Sequence, residues 1–117
     1  MKTSSAKAKG RRLQDEIRDS ILAQYPTLEP DDVQCAIMGQ SGTDIKLSPA
    51  ARRVFPYAVE CKNQEKLNVW SALEQSEQNA KEGQTPIVAF KRNHSDTYVA
   101  LKWDDFMTLM KGREVGE

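Results

Sequence analysis

Two acidic residues and a lysine near the middle of the chain have a spacing that suits metal-dependent chemistry. Asp44 precedes the run Glu60-Cys61-Lys62. Because alternate residues of a strand share a face, Glu60 and Lys62 are expected on one side and Cys61 on the other. The residues around them are apolar, and charges in an apolar strand are costly unless they pair or bind a metal. This pattern therefore predicts a functional site.

Asp44 is expected to begin a strand beside the Glu60 strand, because only a short loop separates them. Two carboxylates and the backbone carbonyl of Cys61 would form a hard-oxygen site suited to Mg²⁺, with Mn²⁺ as a substitute. Such a cation activates water and offsets phosphate charge, and Lys62 would orient that water or neutralise developing charge. The structural alternative is Asp44 in a turn after Gly42, with Glu60 and Lys62 as an ordinary ion pair.

The composition is compatible with a small phosphate-binding enzyme. The chain has 117 residues, enough for one domain, and its 17 basic and 17 acidic residues cancel. The basic residues nevertheless crowd the start, with no acid before Asp15, so phosphates can be held locally. No apolar run approaches the ~20 residues that span a bilayer. The cysteines, Cys35 and Cys61, form no C-x-x-C pair. We expect a cytoplasmic protein with reduced thiols, no zinc site and no membrane contact.

Hydrophobic periodicity and turn residues divide the chain into a basic, mobile arm (1–10), one domain (11–111) and a frayed tail (112–117). The expected order is α-β-β-β-α-β-β-α, which predicts an α/β fold with a central mixed sheet flanked by helices. Ser48-Pro49 is expected to open a loop or short helical turn before the third strand. The predicted helices are 11–25, 66–82 and 103–111, and the predicted strands are 33–38, 44–47, 57–62, 86–91 and 98–102.

The runs SGTDIKL and VECKN, followed by a helix that holds Gln75, resemble the PD-(D/E)XK nucleases. Within that superfamily the chain resembles the small phage and archaeal resolvases of four-way (Holliday) junctions, whose early helix opens with a basic Gly-Arg segment and a glutamate, matched here by GRRLQDE. The likeness extends over Gly10 to Leu109. The family's Pro-Asp is Thr43-Asp44 in this chain, a common degeneracy.

The resemblance implies a restriction-endonuclease-like core, metal binding by Asp44 and Glu60, and a catalytic role for Lys62. It also implies that Glu16 reaches the metal site from the first helix. The alternative for Glu16 is an ion pair with Arg12.

Two amides on the long helix lie four residues apart, Gln75 and Asn79. Both lie on the flank of its predicted packed face, and Gln75 is expected to contact Lys62 or a phosphate. Ordinary solvated polar residues are the alternative. Trp70 is expected in the core or in a subunit contact.

Several basic and polar residues are candidates for binding the DNA backbone, because guanidinium and ammonium groups pair with phosphates. A solvated surface is the alternative for each. The candidates are Lys7, Lys9, Arg11, Arg12, Arg52, Arg53 and Asn63.

These observations predict a Mg²⁺-dependent endodeoxyribonuclease that resolves four-way junctions as a homodimer, since paired nicks in a two-fold symmetric junction suit two-fold related sites. The alternatives are a nuclease acting on duplex, flap or single-stranded DNA, and a DNA-binding module with a decayed nuclease site. A purely structural interaction domain is a third interpretation. No Walker-type glycine loop is present, so no nucleotide cofactor is expected.

Overall fold

The computed structural model describes the backbone of residues 2–37 and 39–115 and the side chains of 5–37 and 39–112. Its architecture is α/β, with a mixed sheet flanked by helices, as the sequence predicted. A short 3₁₀ helix, Pro30–Asp32, precedes the first strand. The helices are α1 (Lys2–Gln24), α2 (Pro49–Val54), α3 (Val69–Asn79) and α4 (Trp103–Val115), and the strands are β1 (Val33–Cys35), β2 (Ile45–Leu47), β3 (Tyr57–Asn63), β4 (Thr85–Lys91) and β5 (Tyr98–Ala100).

The mixed sheet has the strand order β3-β4-β5. β3 and β4 are parallel and joined by α3, whereas β4 and β5 are antiparallel and joined by a short turn. β1 and β2 form a separate antiparallel hairpin. The hairpin joins the free edge of β3 through one backbone hydrogen bond, from Asp44 N to Val59 O at 3.2 Å.

The two faces of β3 carry different helices. Val59 and Cys61 pack with Leu13 and Ile21 of α1 in the main core cluster. Glu60, which alternates with them, points to the opposite face, where α3 lies. The sequence prediction that Glu60 and Cys61 face opposite sides of the strand is therefore confirmed.

Ser48 begins α2 as expected for a helix cap followed by proline. Its Oγ accepts a hydrogen bond from Ala51 N at 3.1 Å and donates to Asp32 Oδ1 at 2.6 Å. These contacts couple the start of α2 to the turn before β1. α2 thereby holds the connection between β2 and β3 in one conformation.

Two predicted boundaries are wrong. The segment 2–10, predicted as an arm outside the first helix, is the beginning of α1. Lysine and alanine favour helix there, and tertiary contacts offset the cost of Gly10, about 1 kcal/mol. Asn63 Nδ2 donates to Lys9 O at 3.0 Å, and Lys9 Nζ lies 3.6 Å from Glu65 Oε2. The segment 112–115, predicted as a frayed tail, continues α4.

Other elements are shorter than predicted. β1 ends at Cys35, and the predicted end of that strand, Met38, lies outside the described residues, as do Met1, Gly116 and Glu117. α3 begins three residues later than the pattern indicated, because Asn68 caps its start by accepting a hydrogen bond from Ser71 N at 3.1 Å. It ends three residues earlier, where Ala80 adopts an extended backbone.

α4 packs little against the other elements of the described chain. Its polar link is the ion pair between Lys102, just before it, and Glu77 of α3, at 3.7 Å. Among the described helices, none combines the length and apolar character needed to span a bilayer. The large side chains that α4 leaves exposed are Trp103, Phe106, Met107, Leu109 and Met110.

Candidate active site

Glu60 lies in the middle of β3 and is buried, with 1% of its surface exposed. Apart from Ser76, it is the only buried polar residue among those that the structure describes. One of its oxygens, Oε2, accepts a hydrogen bond from Asn79 Nδ2 at 2.9 Å. Asn79 is the last residue of α3, so the end of this helix holds Glu60 from the same face of the sheet.

Asp44 lies at the free edge of β3, immediately before β2. Its backbone N–H donates to Val59 O, and its carboxylate Oδ2 accepts from Cys61 N at 2.7 Å. Ala36 N donates to Asp44 O at 2.8 Å from the other side. The Asp44 side chain thus adds a hydrogen bond between the hairpin and β3, next to the backbone bond from Asp44 N. This arrangement brings the Asp44 carboxylate beside Glu60.

The loop before Asp44 depends on a glycine. Gly42 has a φ of +94°, which L side chains rarely adopt, and an added Cβ would lie 2.7 Å from Lys46 Nζ. That ammonium group donates to Ser41 O at 2.7 Å and closes the loop. The segment GQSGT therefore directs the chain into Asp44.

The electrostatics of Glu60 reflect its burial. Burial raises the pKa of Glu60 to about 7, and the charge of Asp44 and a hydrogen bond between the two carboxyl groups add to the increase. The hydrogen bond from Asn79 and the positive charge of Lys62 oppose it. Lys62, two residues along the same strand face, therefore lies within electrostatic reach of Glu60, as the sequence predicted.

The donor set fits a hard divalent cation. Asp44 and Glu60 supply two carboxylates. Cys61 N points to Asp44, and because the N–H and C=O of a strand residue point to the same side, its carbonyl faces the same edge. A cation would also relieve the repulsion between the two carboxylates. Within the described part of the chain, no three His, Cys, Asp or Glu side chains cluster into a metal site, so the protein donors would be two carboxylates and backbone oxygen.

The Cys61 side chain belongs to the core on the other face, and burial raises the pKa of its thiol. A buried neutral thiol is a poor metal ligand. Any contribution of Cys61 to the site is therefore through its backbone, as the sequence predicted.

The structure does not bring two of the expected residues to this centre. Glu16 is exposed on α1, which packs on the face of β3 opposite to Glu60. Gln75 is exposed on α3, and Asn79, one turn later, makes the contact with Glu60 instead. Asn79 faces Glu60 because α3 turns its Ala72–Ser76–Asn79 side towards the sheet.

Gln14 is a neighbour of the site that the sequence did not single out. It lines a cavity of about 250 Å³ with Asp44, Lys7 and Arg11. Positions 7, 11 and 14 share one helix face, and that spacing is the signal that would have identified it. Glu16 is about 200° around the helix from Gln14, which explains why it points elsewhere.

The proposed DNA contacts fall into three groups. Lys7 and Arg11 line the cavity beside Asp44, whereas Arg12 and Arg53 are exposed on the surface. The other candidates already have intramolecular partners: Arg52 donates to Leu47 O at 2.8 Å, and the contacts of Lys9 and Asn63 are those that join α1 to the end of β3.

Comparison of the chain with protein-family models, curated proteins and solved structures found no match. The likeness to the PD-(D/E)XK nucleases therefore rests on the motif residues alone.

The raised pKa of Glu60 predicts an unusual pH dependence of stability in the metal-free protein. The folded state favours the protonated acid, so this contribution is complete below the unfolded pKa of about 4.5 and is lost as pH rises through about 7. In EDTA, Glu60→Gln should match the wild type in thermal unfolding at pH 4.5 and exceed it at pH 8. Glu16→Gln, an exposed control, should show no such divergence. Parallel curves for wild type and Glu60→Gln would contradict the assigned pKa.

Proposed function

We propose that the protein is a Mg²⁺-dependent endodeoxyribonuclease of the PD-(D/E)XK type, with Asp44, Glu60 and Lys62 at its active centre. The observation that carries the proposal is the buried Glu60 beside Asp44, with Lys62 on the same face of β3. A carboxylate is costly to bury next to another, and strongly perturbed acids concentrate at functional sites. A purely structural strand would gain stability from an apolar residue at position 60.

Each residue has a distinct part in this proposal. Asp44 and Glu60 would hold the cation, which would supply positive charge to the phosphate and activate water. Lys62 would direct its ammonium group towards the attacked phosphate and stabilise negative charge as it develops. Asn79 is a positioning residue, because its amide fixes Glu60 Oε2.

The DNA backbone would approach along α1. Lys7 and Arg11 line the cavity next to Asp44, so phosphates flanking the cleaved one would meet basic groups there. Arg12 and Arg53 remain candidates for outer contacts. A chain of zero net charge can still bind DNA when its basic residues are grouped in this way.

The proposed substrate is branched DNA, with four-way junctions as the first choice, and the proposed assembly is a homodimer. α4 exposes several large apolar side chains, and the same chain has a groove of about 400 Å³ lined mainly by apolar residues of α1, β3, β4 and β5. Insertion of α4 of each copy into the groove of the other would bury both surfaces in one two-fold interface. Residues that line the groove include Ile17, Tyr25, Phe55, Ile87 and Val99.

The nuclease assignment predicts that Glu60→Gln abolishes cleavage in Mg²⁺ while DNA binding in EDTA stays within about threefold of the wild type, because the phosphate-binding residues remain. The assay compares a synthetic four-way junction with linear duplex of the same sequence. Symmetric nicks in the junction alone would support a resolvase. Cutting of duplex as well would support a nuclease without junction specificity.

A wild type that cuts no DNA in Mg²⁺ or Mn²⁺, yet binds it, would favour the DNA-binding module with a decayed site. Calorimetry with Mn²⁺ on the wild type and on Asp44→Asn tests the third interpretation, a purely structural interaction domain that binds no metal. Absence of Mn²⁺ binding to the wild type would contradict the metal site itself.

Asn79→Ala should lower cleavage about 10- to 100-fold and raise the Mg²⁺ concentration needed for half-maximal rate, because residues that orient metal ligands contribute by about this factor. Gln75→Ala is the matched control, since it removes an amide from the same helix at an exposed position. Equal effects of the two variants would reject the positioning role of Asn79.

The dimer proposal predicts that Phe106→Glu shifts the mass measured by light scattering from dimer to monomer, because a charge would enter an apolar interface. Gln78→Glu, which adds the same charge on exposed α3, should leave the mass unchanged. A monomeric wild type at the concentrations of the cleavage assay would refute the proposed interface.

A further inference from the structure

A row of side chains extends from Lys62 across the sheet on the face that carries Glu60. In the register of the sheet Lys62 pairs with Phe90, and Phe90 pairs with Tyr98. Paired residues of neighbouring strands point to the same face, so the three side chains lie side by side. With a strand spacing of about 4.8 Å, the backbone of Tyr98 lies roughly 10 Å from that of Lys62.

The two rings form an open aromatic surface. The ring centroids of Phe90 and Tyr98 are 6.0 Å apart, with the planes inclined by 33°. More than half of Tyr98, 56%, is exposed, because β5 is the last strand of the sheet. The pair therefore stabilises the hairpin from one side and leaves the Tyr98 ring available for a further contact.

Basic residues border these rings. Lys91 and Arg92 follow Phe90 directly and line, with both rings, a cavity of about 270 Å³. The turn that carries Arg92 is held in place, since Arg92 N donates to Ser95 Oγ at 3.0 Å. The backbone from which the Arg92 side chain extends is thus fixed relative to the rings.

Glu65, the acidic residue that lines this cavity, is paired with groups of the same chain. Glu65 Oε2 accepts a hydrogen bond from Asn93 N at 2.6 Å and pairs with Lys9 at 3.6 Å. The pKa of Glu65 is lowered, first by the Asn93 hydrogen bond, so it remains an internally paired carboxylate. Its partners anchor the turn and the start of α1, and Arg92 remains to give the cavity a net positive charge.

A third aromatic residue, Trp70 of α3, lies on the same side of the sheet as Phe90 and Tyr98. Trp70 and Glu77 are seven residues apart and share a face of α3. Glu77 pairs with Lys102, two residues after the end of β5, so this face of α3 is turned to β5. Trp70 is 77% exposed, so it lies outside the core, and its expected alternative, a subunit contact, stays a prediction.

We propose that Phe90, Tyr98 and Arg92 bind unpaired nucleotides of the DNA, adjacent to the phosphate that the Glu60 centre cleaves; this location rests on the proposed nuclease function. Aromatic rings beside a positively charged groove are the features that bind single-stranded nucleic acid, because bases stack on the rings while cations hold the phosphates. Paired bases of a duplex present only their edges, so this surface favours DNA with unpaired bases near the cut.

This surface is separate from the proposed dimer interface. Val99 lines the apolar groove, whereas Tyr98, its neighbour in β5, points to the other face of the sheet. A change at Tyr98 should therefore alter DNA binding without altering the oligomeric state.

The test measures fluorescence anisotropy of labelled oligothymidine and of blunt duplex in EDTA, with the wild type, Tyr98→Ala and Tyr98→Phe. Tyr98→Ala should weaken binding of oligothymidine about tenfold, in the range found for loss of one stacked base, and leave duplex binding unchanged. Tyr98→Phe, which keeps the ring, should bind as the wild type does. Arg92→Ala should also weaken oligothymidine binding and should reduce its salt dependence.

Unchanged oligothymidine affinity in Tyr98→Ala would overturn the proposal, as would an equal loss on duplex or a change of mass by light scattering. Because the assay contains no metal, its result is independent of cleavage. Loss of the nuclease function would appear as a wild type that fails to cut, whether or not Tyr98→Ala alters binding. Far-ultraviolet circular dichroism checks that the variants keep the wild-type fold.

Discussion

Burial of Glu60 beside Asp44 is unfavourable unless positive charge or hydrogen-bond donors compensate for it, and several contacts of the fold provide that compensation. Asn79 donates from α3, the backbone of Cys61 donates to Asp44, and Lys62 supplies a cation on the same strand face. The residual cost appears as the raised pKa of Glu60. Selection for stability alone would favour an apolar residue at position 60, and this cost is the physical basis of the proposed functional site.

The sheet divides the molecule into two environments. One face packs α1 against Val59 and Cys61 and forms the main core, and the other brings α3 to Glu60. Asp44 lies at the free edge of β3, where both sides meet, so its carboxylate reaches Glu60 while its neighbours in the cavity belong to α1. A small domain can thus separate the residues that stabilise it from those proposed to act on DNA.

Several basic residues lie around the carboxyl ends of β3 and β4. Lys62 near the end of β3, Lys91 and Arg92 at the end of β4, and Lys9 of α1 lie around this end of the sheet. Ligands of open sheets with parallel strands bind beyond the carboxyl ends of those strands. The zero net charge of the chain therefore says little about its local affinity for phosphate.

The sequence by itself determined the alternation of β3, which separates Glu60 from Cys61, and the capped start of α2, because both depend on neighbours within four residues. It also indicated the α/β class and the mixed sheet. Only the tertiary structure decided that Asn79 rather than Gln75 contacts Glu60, and that Gln14 rather than Glu16 lies near Asp44. Successive helix residues differ by about 100° in direction, so the residue that faces a site depends on how the helix is rotated against the sheet. That rotation is set by long-range packing, and packing also joins α1 at Lys9 to the end of β3.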